Sequence, residues 1–567
     1  MINDQLSQIF INMGAYCEMS SEKNAFFRAR AFKKASEIVS KLPFDLADPE
    51  WQDHKKLVAL EGIGAKIADL ILEFVKTNKI NDYEDMKTQS PVNLEELLKV
   101  QGIGPKTILK LYNELGITDL ESLKKAAEQN LISGLDSFGE KKQTKILESI
   151  QFSIKNKDRV TLGQAEREIE QLLAYLKLDS NIKKMEVVGS YRRKTETIGD
   201  IDILISSKNP EKTSEYFINY SGVEKILGQG ETKNSVWLKS KMQVDIRLLD
   251  IDLFGSALQY FTGSKEHNVK LRQIAIERGY KLSEYGLVER DSEKMIESKS
   301  EEKIYEKILG HYIDPLLREN SGEIEAAIAN KLPKLIEEKD IIGDFHMHTT
   351  NSDGAFSIEE MAQACTERGY KVMGISDHFG KLKIANAIDE SGFDAYLKAI
   401  RTADAKIGTI KILASAEVEI DKEGNLEFDP MMLKQLDYVI ASAHFSNGMS
   451  KADMTKRLIK AIENPLTSLI AHPRNRLINQ RPGYEFDYAE VFKAAADHGV
   501  AMEINSHPSR LDLSWELIKE STKHGCKIAI NTDAHHIDEL ANMKYGLDMG
   551  KKGWLEAKDL WVPNFSK

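Results

Sequence analysis

The sequence predicts a multidomain chain: an all-α N-terminal region, an α+β middle, and a C-terminal β/α layered or barrel domain. Three observations carry this. At 567 residues the chain is too long for one core and fits roughly three to five units. Apolar residues recur at helical spacing to about residue 155, then give way from 185 to short, β-branched alternating runs. From 341 onward the pattern repeats as strand then helix.

In the N-terminal region, NAFFRARAFKKASEIVSKL (24–42) sets apolar residues on one helical face and basic residues on the other. LEGIGAKIADLI (60–71) and VQGIGPKTILKL (100–111) share a hydrophobic-Gly-Ile-Gly turn opening into a helix with lysine on its first turn. Glycine lets backbone N–H groups approach a phosphate, which a helix N-terminus favours electrostatically. The two copies resemble helix-hairpin-helix modules, which grip the DNA backbone without reading sequence. That resemblance implies DNA contacts at Gly62, Gly64, Lys66, Gly102, Gly104 and Lys106. GLDSFGEKK (134–142) reads as a degenerate third turn.

In the middle, MEVVGS, DIDILIS and MQVDIRLLD read as strands, and residues 251–317 return to mixed helix and turn. Within GSYRRKTETIGDIDILI (189–205), Asp200 and Asp202 stand two apart on a strand, so both carboxylates face one way. Asp245 can join them from an adjacent strand. Three carboxylates with two divalent ions can position a triphosphate and activate a 3′-hydroxyl for in-line attack. The Gly-Ser ahead of the basic pair can offer N–H groups to phosphate. Many nucleotidyltransferases share a GS followed by DxD; a lone DxD is often only a solvated strand edge.

KLPKLIEEKD (331–340) reads as a charged linker or terminal helix. Beyond it IIGDFHMH, KVMGISDH, ILASAEVEI, DYVIASAHF, TSLIAHP, VAMEINSH and KIAINTDAHH read as strands, and in β/α folds functional residues sit at their C-terminal ends. Ten of the chain's 13 histidines follow residue 344, and six of those end a predicted strand, a placement that scattered surface histidines would not select. His346, His348, His378, His444, His472 and His535, with Asp353, Glu417 and Asp533, make nine imidazole or oxygen donors and no thiolate. Nine are too many for one ion. Glu417 could bridge two, which points to two or three divalent ions able to activate a water and clamp a phosphoester. His498, His507, His524 and His536 read as structural or surface histidines.

Bulk properties decide less. A net charge of −11 gives no support to a nucleic-acid partner, yet a phosphate-binding groove can be local and carboxylates around metals are partly neutralised. Three widely spaced cysteines make neither a disulfide framework nor a zinc ribbon. No run of about 18 apolar residues and no signal-like N-terminus occur, so the expected location is the cytoplasm and no membrane partner is expected.

With YFTGSKEHNVKLR (260–272) added, the middle constellation resembles family X DNA polymerases. The resemblance implies that Asp200, Asp202 and Asp245 bind two Mg²⁺ or Mn²⁺ ions, Asp245 helping to deprotonate the primer terminus. Arg159, Ser190, Arg193 and Gly199 would contact the triphosphate. Tyr260, Phe261 and Gly263 would line a sugar pocket that excludes a 2′-hydroxyl, and Asn268 and Arg272 would reach the minor-groove edge. Lys265 departs from the acidic residue of vertebrate members. HMH, SDH, the AE of SAEVE, SAH, AHP and TDAH follow the order of the polymerase-and-histidinol-phosphatase (PHP) family, whose distorted β/α barrel hydrolyses phosphoesters with up to three ions. By that resemblance His346, His348, Glu417 and Asp533 hold one Mn²⁺ or Zn²⁺ ion. Glu417, His444 and His472 would hold a second, and Asp353, His378 and His535 a third.

The implied domains are helix-hairpin-helix (1–85), fingers-like with a second hairpin (86–158), nucleotidyltransferase palm (159–250), nucleotide-selecting thumb (251–318), linker (319–340) and PHP (341–567). This is the bacterial family X arrangement. It implies a monomer that fills short gaps in base excision repair, using dNTPs on gapped or primer-template DNA. Its PHP domain would be a 3′→5′ exonuclease, with abasic-site cleavage as a further activity. Lyase-active members carry a Schiff-base lysine four residues past the position of Lys66; here Leu70 stands there, and an aliphatic side chain is no nucleophile. Two rival readings are a PHP domain acting on small phosphomonoesters or pyrophosphate, and a DNA-end-binding scaffold.

Overall fold

The computed structural model describes residues 2–565 apart from 21, 41, 43, 61, 101–102, 137, 157–158, 382–384 and 446–447. Gly102 therefore lies outside the described residues. Helices follow one another through Ile2–Met19, Ala25–Ser40 and Ala65–Thr77 to Pro105–Leu115 and Glu140–Asn156. They close two cores. One gathers Leu6, Phe10, Phe32, Ile67, Leu70 and Phe74; the other gathers Leu97, Ile108, Leu111, Leu123 and Ile146.

A five-stranded sheet follows, in the spatial order Ile182–Val187, Asp200–Ser207, Gln243–Leu248, Lys233–Leu238, Val223–Gln229. Its alternating Ile201, Ile203, Ile205, Val244 and Ile246 pack against helix Leu162–Leu176, which Thr161 caps through Gln164. The strand expected to run through MEVVGS stops at Val187, because Gly189 takes a left-handed conformation and starts the short helix Gly189–Arg192. Residues 251–317 hold more than helix and turn: Tyr280–Ser283, Gly286–Glu289 and Met295–Glu297 form an antiparallel three-stranded sheet. Residues 331–337 are irregular, ending in a single 3₁₀ turn at Glu338–Asp340.

The C-terminal domain alternates helices with parallel strands, and its strands are shorter than the sequence suggests. KVMGISDH and ILASAEVEI each break in two: Val372–Ile375 and Lys411–Ala414 lie in one sheet, His378–Phe379 and Glu417–Glu419 in the next. Buried polar residues at the breaks, Ser376–Asp377 and Ser415, turn the backbone between the sheets. Six parallel strands run from His378–Phe379 to Ile528–Asn531, and Met347 pairs with Ala534 to join the first strand region to the last. The result is the distorted β/α barrel. Among the described residues no helix is long and apolar enough to cross a membrane.

Candidate active sites and DNA-binding turns

The palm site rests on register. Asp202 and Asp245 are direct partners on neighbouring parallel strands, and Asp200 stands two residues before Asp202 on the same face. Burial, with Asp200 and Asp245 close by, pushes the Asp202 carboxyl up to about 6. Asp245 is also buried, but Lys233 Nζ lies 2.6 Å from its Oδ2, and Ser235 and Gln243 donate to it; these hold its pKa below the usual range. Lys233, which sequence reasoning missed, is thus a built-in counter-ion to the carboxylate cluster. A lysine inside an alternating strand gave only a faint signal.

Arg193, Tyr260, Phe261, Gly263, Asn268 and Arg272 line one cleft of about 420 Å³, together with Lys265. Gly263 is required there: its φ is +74°, and a Cβ would lie 2.9 Å from Arg193 Nη1. Gly199 abuts Arg159 in the same way, at 3.0 Å, and Gly189 abuts the Asp202 carboxylate at 3.3 Å. Ser190 lies in the turn between them, its carbonyl accepting from the Thr195 backbone N–H at 3.1 Å. Asn268 is mostly buried, donating to the Tyr260 carbonyl at 2.7 Å while its own carbonyl accepts from Gln259 at 2.7 Å. It lines the cleft with one amide hydrogen and one carbonyl lone pair already engaged.

The PHP site brings all nine expected residues together. Glu417 is the hub. Its Oε2 lies 2.9 Å from His378 Nδ1, 3.5 Å from His346 Nε2 and 3.7 Å from His348 Nε2. Its Oε1 lies 3.1 Å from His472 Nε2 and 3.4 Å from His444 Nε2. Asp533 Oδ1 sits 3.1 Å from His348 Nε2 and 3.5 Å from His346 Nε2. Asp353 Oδ1 sits 3.3 Å from His535 Nε2 and 3.7 Å from His378 Nε2. Three ligand groups emerge: His346, His348 and Asp533; His378, Glu417 and His444; and His348, Asp353, His378 and His535. They differ from the expected sets: His348 and His378 each serve two groups, Glu417 falls in one group instead of two, and His472 falls in none, although its Nε2 lies against Glu417.

Two placements differ from expectation. His346 and His348 lie past the strand Gly343–Asp344, kept extended by the Met347–Ala534 pairing. His378 and Glu417 open their strands instead of ending them, because each run breaks just before them.

The site's electrostatics call for cations. Glu417 is fully buried and Asp533 mostly so, yet the surrounding imidazoles hold both carboxyls well below the usual range. Burial lowers His348 to about 3, aided by His535 and His378. Burial opposes protonation of His535, but its contact with Asp353 raises it to about 9. His346 Nε2, His348 Nδ1, His472 Nδ1 and Glu417 Oε2 are buried without a hydrogen bond. Of these, His346 Nε2 and Glu417 Oε2 face one another across 3.5 Å, and a buried imidazole nitrogen and carboxylate oxygen left unpaired together fit a divalent ion. His472 and Asp533 also hold left-handed backbone, φ +25° and +57°, a strain that non-glycine residues show at functional sites.

Supporting residues escaped the sequence reading. Glu503, fully buried, approaches His346 Nδ1 at 2.8 Å and accepts from the His472 backbone N–H at 2.7 Å and the Asn531 side chain at 2.9 Å. Glu419 meets His444 Nδ1 at 2.9 Å, and Asn505 donates to Asp533 at 2.9 Å. Asp377 accepts from the Thr349 N–H and hydroxyl at 2.7 Å, tying down the loop that carries Asp353. Such partners fix imidazole tautomer and orientation. Their one sequence signal was an acid within an apolar strand, as in VAMEIN. Arg510 reaches within 4.0 Å of Asp533 and donates to Asn475 at 2.9 Å, leaving it part-exposed at the rim.

At the first hairpin Gly62 has φ +89°, and a Cβ there would meet Lys34 Cε at 2.6 Å; Gly64 caps helix Ala65–Thr77 with open space beside it. Lys66 is exposed and paired with Asp82 at 2.9 Å. Leu70 is buried in the helical core. Gly104 caps helix Pro105–Leu115, again with open space, and Lys106 is exposed on its first turn.

Comparison with known proteins agrees with this arrangement. Models of a helix-hairpin-helix domain (residues 1–80), a SAM-like helix-hairpin-helix tandem (94–151), the DNA polymerase beta palm (162–244), the DNA polymerase beta thumb (257–319) and the PHP domain (344–507) match in order. The chain is 36% identical over 562 residues to the DNA polymerase/3′-5′ exonuclease PolX of Bacillus subtilis (strain 168), covering 99% of this chain and 97% of that one. A probable phosphatase of Thermoanaerobacter sp. (strain X514) is 33% identical over 206 residues, covering 34% of this chain and 79% of that one. A second, from Photobacterium profundum, is 30% identical over 211 residues, covering 35% and 81%. With palm, thumb and metal-binding barrel joined in one chain, this protein belongs to the family X DNA polymerases that carry a C-terminal PHP domain.

Proposed function

We propose that the chain fills short gaps as a DNA-directed DNA polymerase and trims DNA 3′ ends with its PHP domain, acting as a monomer in base excision repair in the cytoplasm. The observation that carries this reading is that one chain holds two separate metal-ready centres: a carboxylate set in strand register beside a nucleotide-sized cleft, and a barrel site in which eight histidines and carboxylates form ligand groups with His472 against Glu417. Its substrates are then dNTPs and gapped or primer-template DNA, gripped at Gly62, Gly64, Lys66, Gly104 and Lys106.

Asp200, Asp202 and Asp245 would hold two Mg²⁺ or Mn²⁺ ions, which supply neutralisation of the triphosphate and acidification of the 3′-hydroxyl. Arg193 and Arg159 bring positive charge to the triphosphate from the sides of the Gly189–Arg192 turn. Gly263 lets backbone crowd the sugar at C2′, with Tyr260 and Phe261 as walls. Lys233 holds Asp245 ionised, and as a carboxylate Asp245 is placed to take the hydroxyl proton. In the barrel the nine ligands would hold two to three Mn²⁺ or Zn²⁺ ions, which supply an activated water and charge stabilisation for phosphoester cleavage. Glu503 and Glu419 orient His346 and His444, and Arg510 is placed to meet a phosphate oxygen.

The similarity of the barrel to probable phosphatases supports a second reading, in which it hydrolyses a small phosphomonoester. The deciding experiment compares, with Mn²⁺, a 5′-labelled gapped duplex and p-nitrophenyl phosphate. Stepwise shortening of the labelled strand at rates far above p-nitrophenyl phosphate hydrolysis supports the nuclease; hydrolysis of the small ester with no shortening overturns it.

A further inference from the structure

We infer that the PHP domain has a second, non-catalytic role, in which it clamps the triphosphate-binding turn of the palm, with Arg476–Glu196 as the central contact. The inference rests on the reading of Arg159, Ser190, Arg193 and Gly199 as triphosphate contacts.

Glu196 lies between Arg193 and Gly199, on the return of that turn. Arg476 of the PHP domain binds it through two parallel hydrogen bonds, Nη1 to Oε2 at 3.0 Å and Nη2 to Oε1 at 2.7 Å. The fork is pre-aimed: Arg476 Nε donates to the Arg510 carbonyl at 2.9 Å, and Nη2 also meets the Leu511 carbonyl. The Arg476 side chain is 10% exposed and that of Glu196 22%, so the pair is little screened by water.

Two further contacts converge on the same turn from the same domain. Asn479 Nδ2 donates to the Arg159 carbonyl at 2.7 Å. The Arg159 side chain in turn donates from Nε to Thr197 Oγ1 at 2.8 Å, and residues 160–161 pair with 197–198 as a short antiparallel ladder. Lys552, 2% exposed, donates to the Arg193 carbonyl at 3.1 Å and pairs with Glu319, which also receives Arg193 Nε at 3.1 Å. The PHP domain therefore holds the chain on both sides of the turn and beside its arginines. None of these three side chains points into the nucleotide cleft, so each acts as a positioning residue. Arg476 also sits four residues past His472, in the loop where Asn475 bonds the carbonyls of Ala443 and His444.

The turn's contacts to the triphosphate are made in the ground state as well as in the transition state, so loosening it raises KM more than it lowers kcat. The experiment measures single-nucleotide gap filling by the full chain, with KM for the dNTP and kcat resolved. Glu196→Arg and Arg476→Glu each set like charges together and are expected to raise KM by about 5–20-fold with a smaller change in kcat. Arg193→Ala is the reference. If it raises KM while Glu196→Arg does not, the clamp is overturned. If Arg193→Ala itself leaves KM unchanged, the triphosphate reading falls and the clamp with it. Should the charge reversals not fold, Glu196→Gln and Asn479→Ala take their place, with expected KM rises of about two- to fivefold; unchanged KM in both overturns the clamp.

Discussion

Asp202 and Asp245 face one another across two parallel strands of the palm, in direct register, with Lys233 paired to Asp245 alone among the described residues. The pair is lopsided. Asp245 is stabilised as a carboxylate, whereas Asp202 is pushed up to about 6 by burial and by its two acidic neighbours.

That asymmetry fixes a pH dependence. The folded value of Asp202 lies above its ordinary 3.8. Between about pH 4 and pH 6 the folded protein retains a proton that the unfolded chain releases. The stability this carboxyl contributes is therefore full below about pH 4 and lost as pH rises through about 6. Asp202→Asn cannot ionise, so in EDTA at about pH 8 the palm is expected to be more stable by on the order of 1–3 kcal/mol, with the gain vanishing near pH 4. Differential scanning calorimetry at both pH values checks this; an equal shift at both contradicts it.

Glu503 should matter to the nuclease alone. It orients His346 and holds the His472 backbone from inside the barrel. Glu503→Gln keeps the shape but turns one of two acceptor oxygens into a donor, so His346 Nδ1 and the His472 N–H lose a shared anionic partner, and outer-sphere partners of metal ligands typically contribute 10–100-fold. Mn²⁺-dependent shortening of DNA is expected to fall by about that factor while primer extension is unchanged. Equal loss of both activities would point to a folding defect instead.

Arg510 stands at the rim of the same site, 4.0 Å from Asp533. Arg510→Ala is expected to raise KM for a DNA 3′ end by about tenfold with a smaller effect on metal affinity, since its role is to meet a phosphate. Titration of Mn²⁺ against nuclease rate separates the two effects.

At the first hairpin, Leu70 is packed in the helical core and Lys66 is exposed on the opening turn. Incubation with 5′-deoxyribose-phosphate DNA and borohydride is expected to trap no substantial adduct. An adduct that disappears in Lys66→Ala would contradict this. The same variant is expected to weaken DNA binding modestly and to lower its salt dependence by about one ion, as loss of a single phosphate contact does.

The ligands of the barrel were legible because each strand delivers them in a fixed order, so His346 to His535 could be read off one after another. Asp202 and Asp245 were legible through strand alternation. The thumb sheet at Tyr280–Glu297 was not, since strands of three or four residues are too short to show a period. Nor were the breaks before His378 and Glu417: Ser376–Asp377 and Ser415 sit inside runs that look continuous, and only the tertiary closure of the barrel tells where a strand changes sheet. That Gln259 and the Tyr260 carbonyl engage the Asn268 amide was likewise not legible, since sequence spacing does not reveal such partners. The Arg476–Glu196 contact joins residues 280 apart, beyond any local pattern.

The most direct test of two independent active sites is one gel. A 5′-labelled primer on a gapped duplex is incubated with the full chain and Mn²⁺, with and without dNTPs, beside Asp200→Ala and His346→Ala. Loss of extension only in Asp200→Ala and loss of shortening only in His346→Ala is the expected result. Extension that survives Asp200→Ala, or shortening that survives His346→Ala, would contradict the assignment of that chemistry to its site.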